Sequence, residues 1–233
     1  MTDFFSLTEQ LERVHTTRLA LRPVSLSDAW PLFLASRNPL FNEHLMWKQP
    51  GSSSVVLERI YNIVEASRRG QLTALSAVVK NTGEWVSLYR FQKQLADPSL
   101  VEMGIWTHDK FWGDRFSLEL TRACVDSAFA CSDIASLVAA SSPLNKGSLR
   151  VLEHCGLRPT HLAVRQTEAG SAANLQEFRI TREEWMLRRS VGTFEQVQMP
   201  PVKLPLTATK QSDAKTHNRG QSDGSYSKDP ALA

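Results

Sequence analysis

The chain predicts a mixed α/β domain, and three stretches carry that prediction. Val101 to Thr107 is a short β-rich run with Glu102 as its only charge, broken by Phe111-Trp112-Gly113-Asp114-Arg115. Directly after the break, Phe116, Leu120, Ala123, Cys124 and Ala128 recur at helical spacing, the single buried stripe of an amphipathic helix. Ile134 to Ala140 follows as an apolar run without alternation, as expected of an inner strand covered on both faces. Further upstream, Leu72 to Lys80 and Glu84 to Phe91 flank Asn81-Thr82-Gly83, a hairpin signal. Strands interleaved with helices in this order make a mixed sheet with helices packed against it.

The remaining elements follow from local chemistry. Ser6-Leu7-Thr8-Glu9 has the form of a capping box, which would open a short helix within an N-terminal extension, residues 1–15. Leu19 to Arg22 is a short strand; Ser27 and Asp28 then cap a helix with Pro31 in its first turn. Pro39, Pro50 and Gly51 to Ser54 mark loops, after which Val56, Ile60, Ile63 and Ser67 give a second helical stripe ended by Gly70. Leu162 to Gln166 and Leu175 to Ile180 are two more strands. Thr181-Arg182-Glu183-Glu184 is a second capping box, leading Trp185 into a final helix. The domain proper spans 16–190. Beyond it, 191–233 is expected to be a disordered tail, because Val202 to Ala233 carries almost no large apolar residues to offset its ordering entropy.

A strand that feeds a helix through a glycine turn aims unpaired backbone N–H groups and the helix dipole at one point, a place for a pyrophosphate. Four pieces then coincide in order. They are Thr17 to Pro23 with Asp28-Ala29, the strand Glu102-Met103-Gly104-Ile105-Trp106, the turn Phe111-Trp112-Gly113, and Pro143-x-Asn145-x-x-Ser148-x-Arg150-Val151-Leu152-Glu153 before Gly156-Leu157-Arg158-Pro159. This ordered set resembles the acyl-CoA-dependent N-acyltransferases of the GNAT superfamily, and within them the branch that acetylates protein N-termini, ribosomal proteins included. The resemblance covers about residues 16 to 190 and is far more specific than a lone glycine motif. It implies a mixed, mostly antiparallel central sheet whose two central strands splay to hold the pantetheine of acetyl-CoA, and direct acetyl transfer to a primary amine in a ternary complex. The amine would enter near Glu102, the Trp47 loop and the Leu72 to Phe91 hairpin. The acceptor is left open among protein N-termini, polyamines and small amines.

The resemblance assigns site residues. Ile105, Thr107, Lys110, Gly113, Asp114, Arg115, Phe116 and Asn145 would bind the cofactor. Glu102 would deprotonate the amine, directly or through water, and Ser148 would protonate the departing thiolate. The residues themselves leave bland alternatives. Glu102 in an apolar strand is partly desolvated, which favours taking a proton, yet it could be a structural acceptor. Ser148 and Asn145 at a helix start are also ordinary capping groups. One departure stands in the loop: where the superfamily usually has a second small residue, this chain has Arg115. A side chain there either obstructs close approach of backbone to phosphate or pairs with it. The rival reading is a catalytically degenerate module of the same fold that binds a partner.

Composition narrows the alternatives. Lys and Arg total 27 against 24 Asp and Glu, so a net charge of +3 makes no case for nucleic acid or for an anionic membrane. No apolar run approaches bilayer length, and the N-terminal residues show no signal-peptide pattern. Three cysteines, Cys124, Cys131 and Cys155, form no CxxC and no ligand spacing with the scattered histidines. No metal is therefore expected, and a reducing cytoplasm is the simplest setting. Either a monomer or a homodimer fits this sequence. Trp30, Trp47, Trp85 and Trp106 could shape a substrate slot, though such residues more often pack in the core.

Overall fold

In the computed structural model, residues 4–45, 48–94, 97, 100–166 and 172–190 are described. Strands β1 (Leu19–Pro23), β2 (Leu72–Val79), β3 (Trp85–Lys93), β4 (Val101–Thr107), β5 (Ser136–Ser141), β6 (Arg158–Gln166) and β7 (Ala172–Thr181) form one sheet in the order β1-β2-β3-β4-β5-β7-β6. Every neighbouring pair is antiparallel except β4 and β5, which run parallel. The helices are α1 (Phe4–Glu12), α2 (Ala29–Ala35), α3 (Pro39–Leu45), α4 (Ser53–Arg68), α5 (Phe116–Cys131), α6 (Lys146–His154) and α7 (Arg182–Ser190). The mostly antiparallel sheet with flanking helices is the expected fold class.

Two apolar layers cover the sheet. On one face Leu7 and Leu11 of α1 and Leu120, Cys124 and Ala128 of α5 pack with Tyr89, Phe91, Met103, Leu137 and Phe178. On the other, Leu32 of α2 and Val56 and Ile60 of α4 pack with Ala74, Trp85, Leu88 and Trp106. The helical stripes of the sequence are thus the buried edges of α5 and α4. Each fully buried Leu or Phe side chain contributes about 1.5–3 kcal/mol. Trp85 and Trp106 are core residues, while Trp30 is exposed.

Some local expectations need correction. The first helix begins at Phe4, so Ser6 lies inside it and caps nothing. Asp28 is the N-cap residue of α2, but it is buried and its carboxylate makes no hydrogen bond to the amides of that helix. Its carboxylate accepts from the Ser25 amide (2.8 Å), the Ser76 hydroxyl (2.7 Å) and both terminal nitrogens of Arg22 (3.0 and 2.5 Å), tying the α2 entrance to β1 and β2. A buried charge needs such partners. The second capping box forms as expected: the Thr181 amide donates to Glu184 Oε2 (2.9 Å) and the Glu184 amide to Thr181 Oγ1 (3.2 Å). Strand β6 starts at Arg158, four residues before the predicted Leu162. Residues 191–233, read from sequence as a disordered tail, lie outside the described residues, as does Trp47.

Candidate active site

The parallel pair β4 and β5 is short. Only Val101↔Leu137 and Glu102↔Val138 are in register, and beyond Glu102 the two strands part. Their C-terminal ends open onto two segments, the loop leading into α5 and the turn leading into α6. In open α/β sheets this is where backbone groups without a strand partner face a crevice.

The loop after β4 is built from backbone. His108 caps a short 3₁₀ turn, Asp109–Phe111, by accepting the Lys110 amide at Nδ1 (3.2 Å). Gly113 then takes φ +93°, and a Cβ there would meet nothing within 4 Å, so conformation rather than space asks for glycine. Arg115 follows at φ 61°, ψ 13°, the N-cap of α5 and the one non-glycine with positive φ among the described residues. The second small-residue position is therefore a left-handed one, and Arg115 bears that strain. From Phe116 onward the first-turn amides of α5 have no intrahelical partner, so they face an incoming anion with the positive end of the helix dipole.

Side chains brace this loop from behind. Arg18 donates from Nη2 to the Asp114 carbonyl (3.0 Å) and from Nε to Glu119 Oε2 (2.7 Å), and its guanidinium lies 4.1 Å from the centre of the Phe116 ring. Burial by itself would raise the Glu119 carboxyl, but hydrogen bonds from Thr16 and Arg18 together bring it below its ordinary range. Thr107 is tied on both sides: its Oγ1 is 2.9 Å from Ser117 Oγ, and its carbonyl accepts Trp112 Nε1 (3.0 Å). Ile105 sits opposite Tyr89 and packs into the α5 layer, so only its backbone lies along the crevice. Lys110 lies in the loop, with Nζ 2.5 Å from Glu84 Oε1. Both groups are largely exposed, so the pair is weak and readily exchanged.

At the second segment Asn145 is the N-cap of α6, its Oδ1 accepting the Ser148 amide (3.0 Å). Ser148 is half-buried in the first turn, and its hydroxyl has no hydrogen bond to another described residue. Asn145 thus does the capping while Ser148 keeps its hydroxyl for other partners.

Glu102 stands at the last paired position before the strands part. Its carboxylate is 16% exposed and accepts Arg165 Nη1 at both oxygens, 2.9 and 3.0 Å. Arg165 Nη2 also lies 3.6 Å from Glu177 Oε2, and Glu177, itself buried, accepts Gln94 Nε2 (3.0 Å). The sequence argument expected burial at Glu102 but missed its partner. Glu177 lies in a strand that also carries Asn174, Gln176 and Arg179, so it does not stand out in the sequence as Glu102 does. Nothing in the local sequence points to Arg165.

The cysteines offer no nucleophile among the described side chains. Burial pushes the Cys155 thiol up to about 12 and drives Cys124 well above its ordinary range. No group of three His, Cys, Asp or Glu residues among those described could hold a metal, and no described helix is long and apolar enough to cross a membrane.

Parted parallel strands at the centre of an antiparallel sheet, with a glycine loop feeding a helix, define an acyl-CoA-dependent acyltransferase fold. Residues 18–158 match the model of the acetyltransferase (GNAT) domain, and the chain belongs to that family. It is an acetyl-CoA-dependent acetyltransferase, with acetyl-CoA as acyl donor. The uncharacterised N-acetyltransferase p20 of Bacillus licheniformis is 25% identical over 142 residues, 61% of this chain and 80% of that protein. A protein assigned as a ribosomal-protein-serine acetyltransferase from Vibrio cholerae superimposes with a TM-score of 0.63 at 18% identity, covering 72% of this chain and 96% of that one. Spermidine N-acetyltransferase of Vibrio cholerae, solved with CoA and spermine, gives a TM-score of 0.60 at 15% identity over 72% of this chain and 98% of that one. At such identities the two solved structures share the fold.

Proposed function

We propose that the chain transfers an acetyl group from acetyl-CoA to a primary amine, protein N-termini among the acceptors, by direct attack in a ternary complex. The observation that carries this reading is the position of Glu102 at the fork of β4 and β5, with the backbone-lined crevice on one side and a charged, partly buried sheet face on the other. The amides around Gly113 to Phe116 receive the pyrophosphate, with Lys110 free to exchange Glu84 for a phosphate and Asp114 contributing backbone only. Ile105 and Thr107 contribute strand backbone along the pantetheine, and Asn145 meets its arm. Arg115 presents a guanidinium at the same anion.

The chemistry asks little more of the protein. The amine nitrogen attacks the thioester carbonyl, the carbon–sulfur bond breaks, one proton leaves the nitrogen and one reaches the sulfur. Glu102 takes the first, directly or through water, and Ser148 supplies the second. Arg165 competes with an incoming ammonium for the Glu102 oxygens, and Glu177 gives it a second seat 3.6 Å away. The high proton affinity of the buried Cys124 and Cys155 thiols agrees with transfer without an acyl-cysteine.

Glu102→Gln keeps the shape and removes the base. Turnover should fall about a hundredfold or more where the amine is protonated, and recover partly as pH rises through the amine's own titration. Wild-type turnover at every pH would remove Glu102 from the chemistry.

A further inference from the structure

A second guanidinium lies on the same sheet face as Glu102 and forms no ion pair with a carboxylate among the described residues. Arg90 of β3 sits directly opposite Gly104 of β4, and Gly104 lies between Glu102 and Trp106 on the period-two face. The guanidinium lies 5.2 Å from the centre of the Trp106 ring. Its Nε is buried and finds no hydrogen-bond acceptor among the described residues. A Cβ added at Gly104 would meet only that Nε, at 4.0 Å, so no other side chain fills the space directly over Gly104. Burial lowers the proton affinity of Arg90 and the nearby Glu102 charge raises it, but a guanidinium stays protonated throughout the physiological range.

The charges on this face explain what is missing. Both carboxylates are engaged by Arg165: Glu102 at 2.9 Å and Glu177 at 3.6 Å. Arg179, in register with Val138 beside Glu102, donates to Ser136 Oγ (3.0 Å). Among the described residues, the Arg22–Asp28 pair on this face is matched, while around the fork Arg90, Arg165 and Arg179 face two carboxylates, and the unmet need is an oxygen acceptor for Arg90. A buried donor left without an acceptor is costly. A polycationic amine would add like charge to a face already net positive. An amine with a neighbouring oxygen would instead set its nitrogen towards Glu102 and its oxygen towards Arg90.

Resting on the amine-transfer reading above, we propose that Arg90 selects the acceptor, and that the acceptor is an α-amino acyl group, an amine whose α-carbon bears a carbonyl or carboxylate oxygen. The free amino acid and the peptide N-terminus share this chemistry, and the assay separates them.

The test uses the full chain, acetyl-CoA and four acceptors: an alanine-initiated tripeptide amide, free alanine, n-butylamine and spermidine. The wild type should prefer one or both α-amino acyl acceptors to n-butylamine and spermidine in kcat/KM, and whichever of the two is preferred identifies the source of the oxygen. Arg90→Met should cut that preference, measured as the ratio to n-butylamine, by about ten- to a hundredfold. Arg90→Lys should restore part of it. An equal loss with every acceptor would mean a structural role and overturn the proposal, as would a wild type that prefers spermidine. Should Arg90→Met fail to fold, the Arg90→Lys ratio decides: an intermediate preference supports selection, and an unchanged one refutes it. Acetyl-CoA binding without turnover on any amine would refute the amine-transfer reading itself, a result distinct from lost selectivity.

Discussion

The two sides of the crevice are built by different means. The proposed donor side, from β4 through its loop into α5 and on to Asn145, is made of backbone: parted strands, a glycine at φ +93°, a left-handed Arg115 and unpaired helix amides. The proposed acceptor side is made of side chains far apart in sequence, with Arg165 reaching across to Glu102 and Glu177 meeting Gln94. The main-chain geometry of a backbone-built site changes little with sequence. A side-chain-built site changes with single substitutions, so selectivity is expected to reside on the proposed acceptor side.

The sharpest way to break the contrast is at Gly113. Gly113→Glu places a carboxylate against the pyrophosphate and should abolish acetyl-CoA binding in calorimetry. Gly113→Ala carries only the backbone strain, of order 1–3 kcal/mol, and should weaken it. Equal binding by both variants would move the phosphate elsewhere. A smaller effect is expected at Ser148. Ser148→Ala leaves the Asn145 cap in place and should lower turnover about a hundredfold with acetyl-CoA affinity unchanged, as single-turnover kinetics can separate. Lost affinity instead would make it a binding residue.

The smallest effect is a pH dependence of the donor loop. The folded Glu119 carboxyl is held below its ordinary range by hydrogen bonds that outweigh burial. Its contribution to stability is therefore complete above the unfolded value and is lost as pH falls through the folded one. Thermal unfolding of the wild type should lose stability over that acid range, and Glu119→Gln should flatten the fall. An identical acid limb in the variant would show that Arg18 braces the loop without the carboxylate.

Much of the donor side was legible in the sequence because it is local. The strand, the Phe-Trp-Gly turn and the α5 stripe lie within about thirty residues, and periodicity and turn chemistry report them directly. Arg115 was visible as a departure, although only the structure gives its left-handed backbone. The Glu84 partner of Lys110 was not legible, because it lies 26 positions away, just before β3. The acceptor side was mostly hidden for the same reason. Glu102 stood out as a lone charge in an apolar run, but Arg165 joins it only through the order β4-β5-β7-β6, which places a residue 63 positions away on the same face. Ser6 failed differently: it matched a cap pattern but lies inside α1, whereas Asp28 is the N-cap residue of α2 with its carboxylate turned to Arg22 and Ser76 by tertiary packing.

In the proposed reaction the backbone-built side delivers an acetyl group from acetyl-CoA to an amine held on the charged face. The most direct measurement follows free CoA thiol and intact acceptor mass together, with acetyl-CoA and the alanine-initiated peptide amide supplied to the wild-type chain. Thiol and acetylated peptide should appear in equal amounts and saturate in both substrates. Thiol released without acetylated acceptor, or no detectable acetyl-CoA binding at millimolar concentration, would contradict the account.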